Sequence, residues 1–139
     1  MPITVKVKDV MDRNVVTIES SNAVSAALEK MIQAVVWSLV VERLGLAVGV
    51  VTERDILRRC AAVGHFPEKV KVEEIMSSPI VTINPDATVG EAMRTLTDKA
   101  VRRLYVVEGG KIIGRVTQTE LFRNMLDVMM TLASLPYQL

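Results

Sequence analysis

Apolar and polar positions follow two rhythms along this chain, and the whole pattern comes round twice. Val15-Val16-Thr17-Ile18 is a short β-branched run and predicts a strand. From Asn22 to Ala34 the apolar residues Val24, Ala27, Leu28, Met31 and Ile32 fall at helical spacing, with Ser21 or Asn22 as N-cap. Leu39-Val40-Val41 and Ala47-Val48-Gly49-Val50-Val51 flank Arg43-Leu44-Gly45 and predict a hairpin. Glu53 to Ala62 predicts a helix, closed near Gly64 and Pro67. The same order then recurs. Ile80 to Ile83 reads as a strand, and Thr88 to Lys99 as a helix opened by the capping box Thr88-Val89-Gly90-Glu91. Leu104 to Val107 and Ile112 to Thr117 pair around Glu108-Gly109-Gly110, and a closing helix runs from Glu120 to about Leu132.

The recurrence is residue by residue. A shift of 65 lays Val5-Lys6-Val7 on Val70-Lys71-Val72, Met11 on Met76, and Val16-Thr17-Ile18 on Val81-Thr82-Ile83. It also lays Val24 and Ala27 on Val89 and Ala92, Leu39 and Val41 on Leu104 and Val106, and Gly49, Val51 and Thr52 on Gly114, Val116 and Thr117. Glycine and threonine match as well as aliphatics, so the period marks duplicated structural units. Each unit reads strand, helix, strand, strand, helix. Three short strands bury too little surface to stand alone. The expected fold is therefore α/β (α+β): two β-α-β-β-α repeats, residues 1–65 and 66–139, packed sheet against sheet about a pseudo-twofold axis. The second repeat carries the C-terminal helix, and a groove between the sheets is a natural ligand site.

Half of the residues are hydrophobic, which supports a real core and excludes wholesale disorder. Lys and Arg number 17 against 16 Asp and Glu, so charge gives no case for nucleic acid or an anionic membrane. One cysteine, Cys60, and one histidine, His65, leave no material for a disulfide framework or a Cys/His metal cluster; both read as structural or surface residues. No signal peptide is visible, and the most apolar stretch, Ala34 to Thr52, is broken by Glu42 and Arg43. A cytoplasmic, stand-alone module is expected from Met1 and the two-repeat length. No nucleophile with a base and no pair of tuned acids is in evidence, so an enzyme is not expected.

The candidate chemistry sits where the third strand of each repeat meets its last helix. Gly49-Val50-Val51-Thr52-Glu53-Arg54-Asp55 and Gly114-Arg115-Val116-Thr117-Gln118-Thr119-Glu120 share Gly-x-Val-Thr-x-x-acid. Thr-x-x-acid is an ordinary helix-capping box. The same geometry also suits a ligand. A helix N-terminus favours an anion, a threonine hydroxyl can bond a phosphate, and a carboxylate just inside the helix can accept both hydroxyls of a ribose. The glycine lets a ligand approach the backbone. Arg54, Arg58 and Arg59 read as a solvated face, and Trp37 as a core or interface aromatic.

These motifs, the order of elements and the segment Met76-Ser77-Ser78-Pro79-Ile80-Val81-Thr82 resemble a tandem pair of CBS domains, the module named after cystathionine β-synthase. The resemblance spans about residues 5–127 and includes the Gly-hydrophobic-x-Thr/Ser-x-x-Asp signature. The family's Leu-Pro-Val-Val strand is present without its proline, as Leu39-Val40-Val41 and Leu104-Tyr105-Val106. The resemblance implies a regulatory module, similar to the γ subunit of AMP-activated kinase. It would bind AMP, ADP, ATP or S-adenosylmethionine in the intersheet cleft. By it, Asp55 would hold the ribose hydroxyls and Thr52 a phosphate or ribose oxygen. Val15, Val16, Thr17, Ile80, Val81 and Thr82 would flank the adenine, Arg102 and Arg103 would meet phosphate, and Thr117 and Glu120 would hold the equivalent places in the second copy. Glu120 is one methylene longer than Asp, so the Asp55 site is expected to be the stronger. The apolar stripe Leu121, Met125, Leu126, Met129, Met130 and Leu132 and the helix near Asn22–Ala34 are expected to form a homodimer, with an unknown target protein as listener. The alternative is a ligand-free scaffold in which the motif only caps helices.

Overall fold

The computed structural model describes residues 4–136. Two three-stranded sheets form, with order β1(Thr17–Glu19), β2(Ser38–Arg43), β3(Leu46–Thr52) and β4(Thr82–Ile83), β5(Arg103–Glu108), β6(Lys111–Thr117). In each, the first strand is parallel to the second and the second antiparallel to the third. The helices are α1(Val7–Val10), α2(Val24–Ala34), α3(Glu53–Ile56), α4(Val72–Ile75), α5(Val89–Lys99) and α6(Gln118–Ala133). The predicted β-α-β-β-α order holds in both repeats. The opening strands are shorter than read: Val15 and Val16 precede β1, and Ile80 and Val81 precede β4.

Two hairpin turns place consecutive residues at positive φ, Leu44 with Gly45 and Gly109 with Gly110. That backbone matches the twist of antiparallel strands, and glycine adopts it freely. The helix predicted from Glu53 continues α3 as a π-helical turn over Leu57–Ala61.

By contacts, the chain divides into two compact units. One unit is Val15–Ile80; the other joins the residues up to Asn14 with those from Val81 onward. The cause is a matched set of backbone bonds. Val24 N donates to Val70 O and Val72 N to Asn22 O, both at 2.8 Å. At the same offset, Val89 N donates to Val5 O at 3.0 Å and Val7 N to Ala87 O at 2.8 Å. Each leading segment, with its single-turn helix α1 or α4, thus pairs with the start of the other copy's first long helix. This also corrects the expected cap of α2. The N-cap is Ala23, not Ser21 or Asn22, because the Val70 and Pro67 carbonyls already take the Val24 and Ser25 N–H groups.

Each unit has its own core. Ile18, Met31, Leu39, Val51, Val72 and Ile75 pack with neighbours in one, and Val7, Leu96, Leu104, Val106, Val116 and Leu121 in the other. Burying a leucine such as Leu39 or Leu104 contributes about 1.5–3 kcal/mol. Trp37 is 63% exposed and belongs to neither core, which removes the core half of the core-or-interface expectation. Only Leu121 of α6 is buried, so most of the helix's apolar stripe faces outward.

Candidate functional site

At the end of β3 the chain enters α3 through Thr52, whose extended backbone makes it the N-cap. Its hydroxyl accepts from the Asp55 N–H at 3.2 Å and donates to Asp55 Oδ2 at 3.1 Å; the Thr52 N–H donates to the same oxygen at 2.9 Å. The capping box read from sequence is present, and it commits the threonine's one proton. Asp55 is only 8% exposed. Its second oxygen, Oδ1, accepts from the Ser77 hydroxyl at 2.9 Å. An ionised carboxylate has about four acceptor positions, and three are taken here.

Gly49, three residues before Thr52, has a role other than admitting a ligand. A Cβ there would lie 2.7 Å from Met76 Sδ and 2.8 Å from Ser77 O. The missing side chain lets the Met76–Ser77 segment bond to β3, with Val50 N to Ser77 O at 2.9 Å and Ser77 N to Val50 O at 2.8 Å. That close approach carries the Ser77 hydroxyl to Asp55. Val16 and Thr17 lie beside this hairpin: Val16 O accepts from Val40 N at 2.9 Å, and Thr17 pairs with Val40 in register. Val15 and Ile80 are half-buried at the two ends of this unit.

The other unit repeats the junction with changes. Thr117 caps α6, and Glu120 Oε2 accepts from the Thr117 N–H at 2.8 Å and from its hydroxyl. Gly114 makes room for Met11 and Asp12 as Gly49 does for Met76 and Ser77. At the offset of 65, Asp12 stands where Ser77 stands, and it takes a different partner. Asp12 Oδ2 accepts from Arg115 Nη2 at 3.1 Å, and Oδ1 from the Asn14 N–H at 2.8 Å. These bonds, the Asn14 N–H foremost and then Arg115, hold the Asp12 carboxyl below the usual range against the opposing effect of burial. Register pairs Arg103 on β5 with Thr117 on β6, so one basic candidate lies beside the Glu120 junction of its own unit. Arg102 is exposed just before β5, Val81 O accepts from Tyr105 N at 3.0 Å, and Thr82 is exposed on β4.

Sequence reading placed both acids but missed Ser77 as the partner of Asp55. The signal was available in the offset, which puts polar Asp12 and Ser77 in equivalent places after the matched methionines. Among the described residues, no group of three His, Cys, Asp or Glu is arranged to hold a metal, and no helix is long and apolar enough to cross a membrane.

Known proteins are similar to this chain in sequence and in fold. An uncharacterized protein of Methanopyrus kandleri is 33% identical over 122 residues, covering 86% of this chain and 62% of that protein. Matches to two uncharacterized proteins of Methanocaldococcus jannaschii cover 48% and 32% of their length, so the chain spans less than two thirds of these curated relatives. The CBS domain-containing protein YhcV of Bacillus subtilis is 30% identical, with 87% of this chain and 86% of that protein covered. Among solved structures, the hexameric CBS-CP12 protein from bloom-forming cyanobacteria superposes over 100% of this chain and 80% of its own, with TM-score 0.84 and 30% identity. A conserved CBS domain protein of unknown function from Thermoplasma acidophilum covers 98% and 80%, with TM-score 0.80 and 26% identity. The CBS domain profile matches twice, over residues 7–62 and 72–127, the same two stretches that carry the paired Gly-x-Val-Thr-x-x-acid junctions. The chain therefore belongs to the CBS domain family and carries two copies of the domain.

Proposed function

We propose that this CBS pair is a non-catalytic regulatory module that binds an adenosyl ligand at the Thr52–Asp55 junction and signals to a partner protein. AMP, ADP, ATP and S-adenosylmethionine are the candidate ligands, and the setting is cytoplasmic. The observation that carries the reading is the environment of Asp55. A carboxylate 8% exposed at a helix start is held by hydroxyl and amide donors, with one acceptor position left on Oδ1. A ribose diol offers the same chemistry, with one hydroxyl in the free position and the other in place of Ser77. Binding shifts a conformational equilibrium only as far as the ligand's affinity differs between its forms.

Calorimetry and thermal shift against the four ligands and NADH test the reading. Asp55→Ala should abolish the response, and Glu120→Ala should change it less. Wild-type binding by both variants would falsify the site. The ligand-free scaffold has one observation in its favour: both acids are already engaged in capping boxes. It predicts no saturable response to any of the ligands.

We further propose that the module self-associates through helices. Phe122, Met129, Met130 and Leu132 of α6 and Ile32 of α2 are exposed large apolar residues, and the hexameric relative shows that a CBS protein can assemble. Light scattering on Met129→Lys should show a smaller species than the wild type.

A further inference from the structure

The helix that leaves the Thr52–Asp55 junction changes its winding where its counterpart does not. Over Leu57–Ala61 the hydrogen bonds lengthen to a π pattern, with Ala62 N to Leu57 O at 2.8 Å and His65 N to Cys60 O at 3.0 Å. Such turns are rare and recur at functional sites. At the matching place, α6 runs on as regular helix through Gln118–Ala133. The chain then turns at Gly64, with φ of +78°, and a cavity of about 460 Å3 opens between the π turn and the segment leading into α4.

This volume lies in the range of small-molecule pockets. Phe66 and Val70 supply apolar lining, and Arg59, His65 and Lys69 line the cavity with nitrogen-bearing side chains. Arg59 Nη1 donates to Ile75 O at 3.2 Å and Met76 O at 3.1 Å, which fixes the guanidinium; its other donors make no hydrogen bond among the described residues. The Lys69 ammonium lies 5.8 Å from the Phe66 ring centroid. Phe66 is 65% exposed, so its ring is not there to fill the core. Glu74, the acid in the lining, has its Oε2 bonded to the Lys71 N–H at 2.6 Å. Carried on by 65, the repeat puts Asn124, Thr131 and Ser134 where Arg59, Phe66 and Lys69 stand, so the basic and aromatic set belongs to one copy only.

We propose that this cavity binds a small phosphate monoester with a flat, apolar organic part. The phosphate meets the Arg59 fork and the Lys69 ammonium, and the organic part rests on Phe66 and Val70. The pocket is separate from the Asp55 junction and does not rest on the adenosyl reading.

The chain has one histidine, so the imidazole protons of His65 give a unique local NMR signal. The full chain is titrated with phenyl phosphate, inorganic phosphate and phenol. A saturable His65 shift with phenyl phosphate is expected, with about tenfold weaker binding of the other two probes, the loss expected when one charged or apolar contact is missing. Arg59→Met and Lys69→Met should each weaken phenyl phosphate about tenfold. Lys69→Met removes no backbone hydrogen bond, so it keeps the test valid if Arg59→Met loosens the fold. No saturable shift overturns the proposal, as does Lys69→Met binding like wild type. Equal affinity for inorganic phosphate also overturns it, because that marks a simple anion spot.

Discussion

The Ser77 hydroxyl donates to Asp55 Oδ1 at 2.9 Å, so the chain itself fills an acceptor position that the proposed ribose would use. Removing the hydroxyl opens a second acceptor position on the same oxygen. Ser77→Ala should therefore bind AMP about three- to tenfold more tightly by calorimetry, the worth of roughly one hydrogen bond. Unchanged or weaker binding would mean that Ser77 does not stand in a ribose hydroxyl's place.

Gly49→Ala and Gly114→Ala should both destabilise, by about 1–3 kcal/mol from overpacking. Gly49 should be the worse. Its added carbon would meet the Ser77 carbonyl at 2.8 Å, whereas at Gly114 the nearest backbone atom, Asp12 O, is 3.1 Å away and the closer Met11 side chain can move. Urea denaturation of the two variants gives the order directly; equal midpoints would contradict it.

Val35 ends α2 in the left-handed region at φ 54°, a conformation that a β-branched residue adopts only with strain. The residue is 78% exposed, so little packing is lost when its side chain is removed. Val35→Gly should raise stability by about 1 kcal/mol. A lower melting temperature in the variant would show that Val35 packs in a way its exposure conceals.

Asp12 predicts an acid-range effect. Its carboxyl is depressed in the folded state, first by the Asn14 N–H and then by Arg115. A depressed folded value means that the stabilisation is present at neutral pH and is lost as pH falls through that value. Its size stays below about 1 kcal/mol, because the Asp12 side chain is 35% exposed and the pair is screened. Asp12→Asn should therefore lose less stability than wild type between neutral and acid pH; identical acid limbs in denaturation curves would refute this.

Legibility followed the length of each signal. The hairpins, α2, α5 and both acid-bearing junctions could be read because each shows several turns of period or a fixed Thr-x-x-acid spacing. The single-turn helices α1 and α4 could not, since four residues show no period. The cap at Ala23 was misread because its N–H partners come from Val70 and Pro67, distant in sequence. Gly49 was recognised as a close-approach glycine, but the approaching group is the chain's own Met76–Ser77 segment. The π turn at Leu57–Ala61 leaves no mark in residue type, and Arg59, which lines the cavity beyond it, lies on that turn.

The crossed leading segments put the order of synthesis out of step with the order of closure. Residues Val15 to Ile80 are contiguous, so every contact within that unit joins residues made in one uninterrupted stretch. The stretch around Val5 and Val7, made before that unit, waits for Ala87 and Val89 before it can form these bonds. A segment made before Val15–Ile80 thus finds its place only after that stretch has been made.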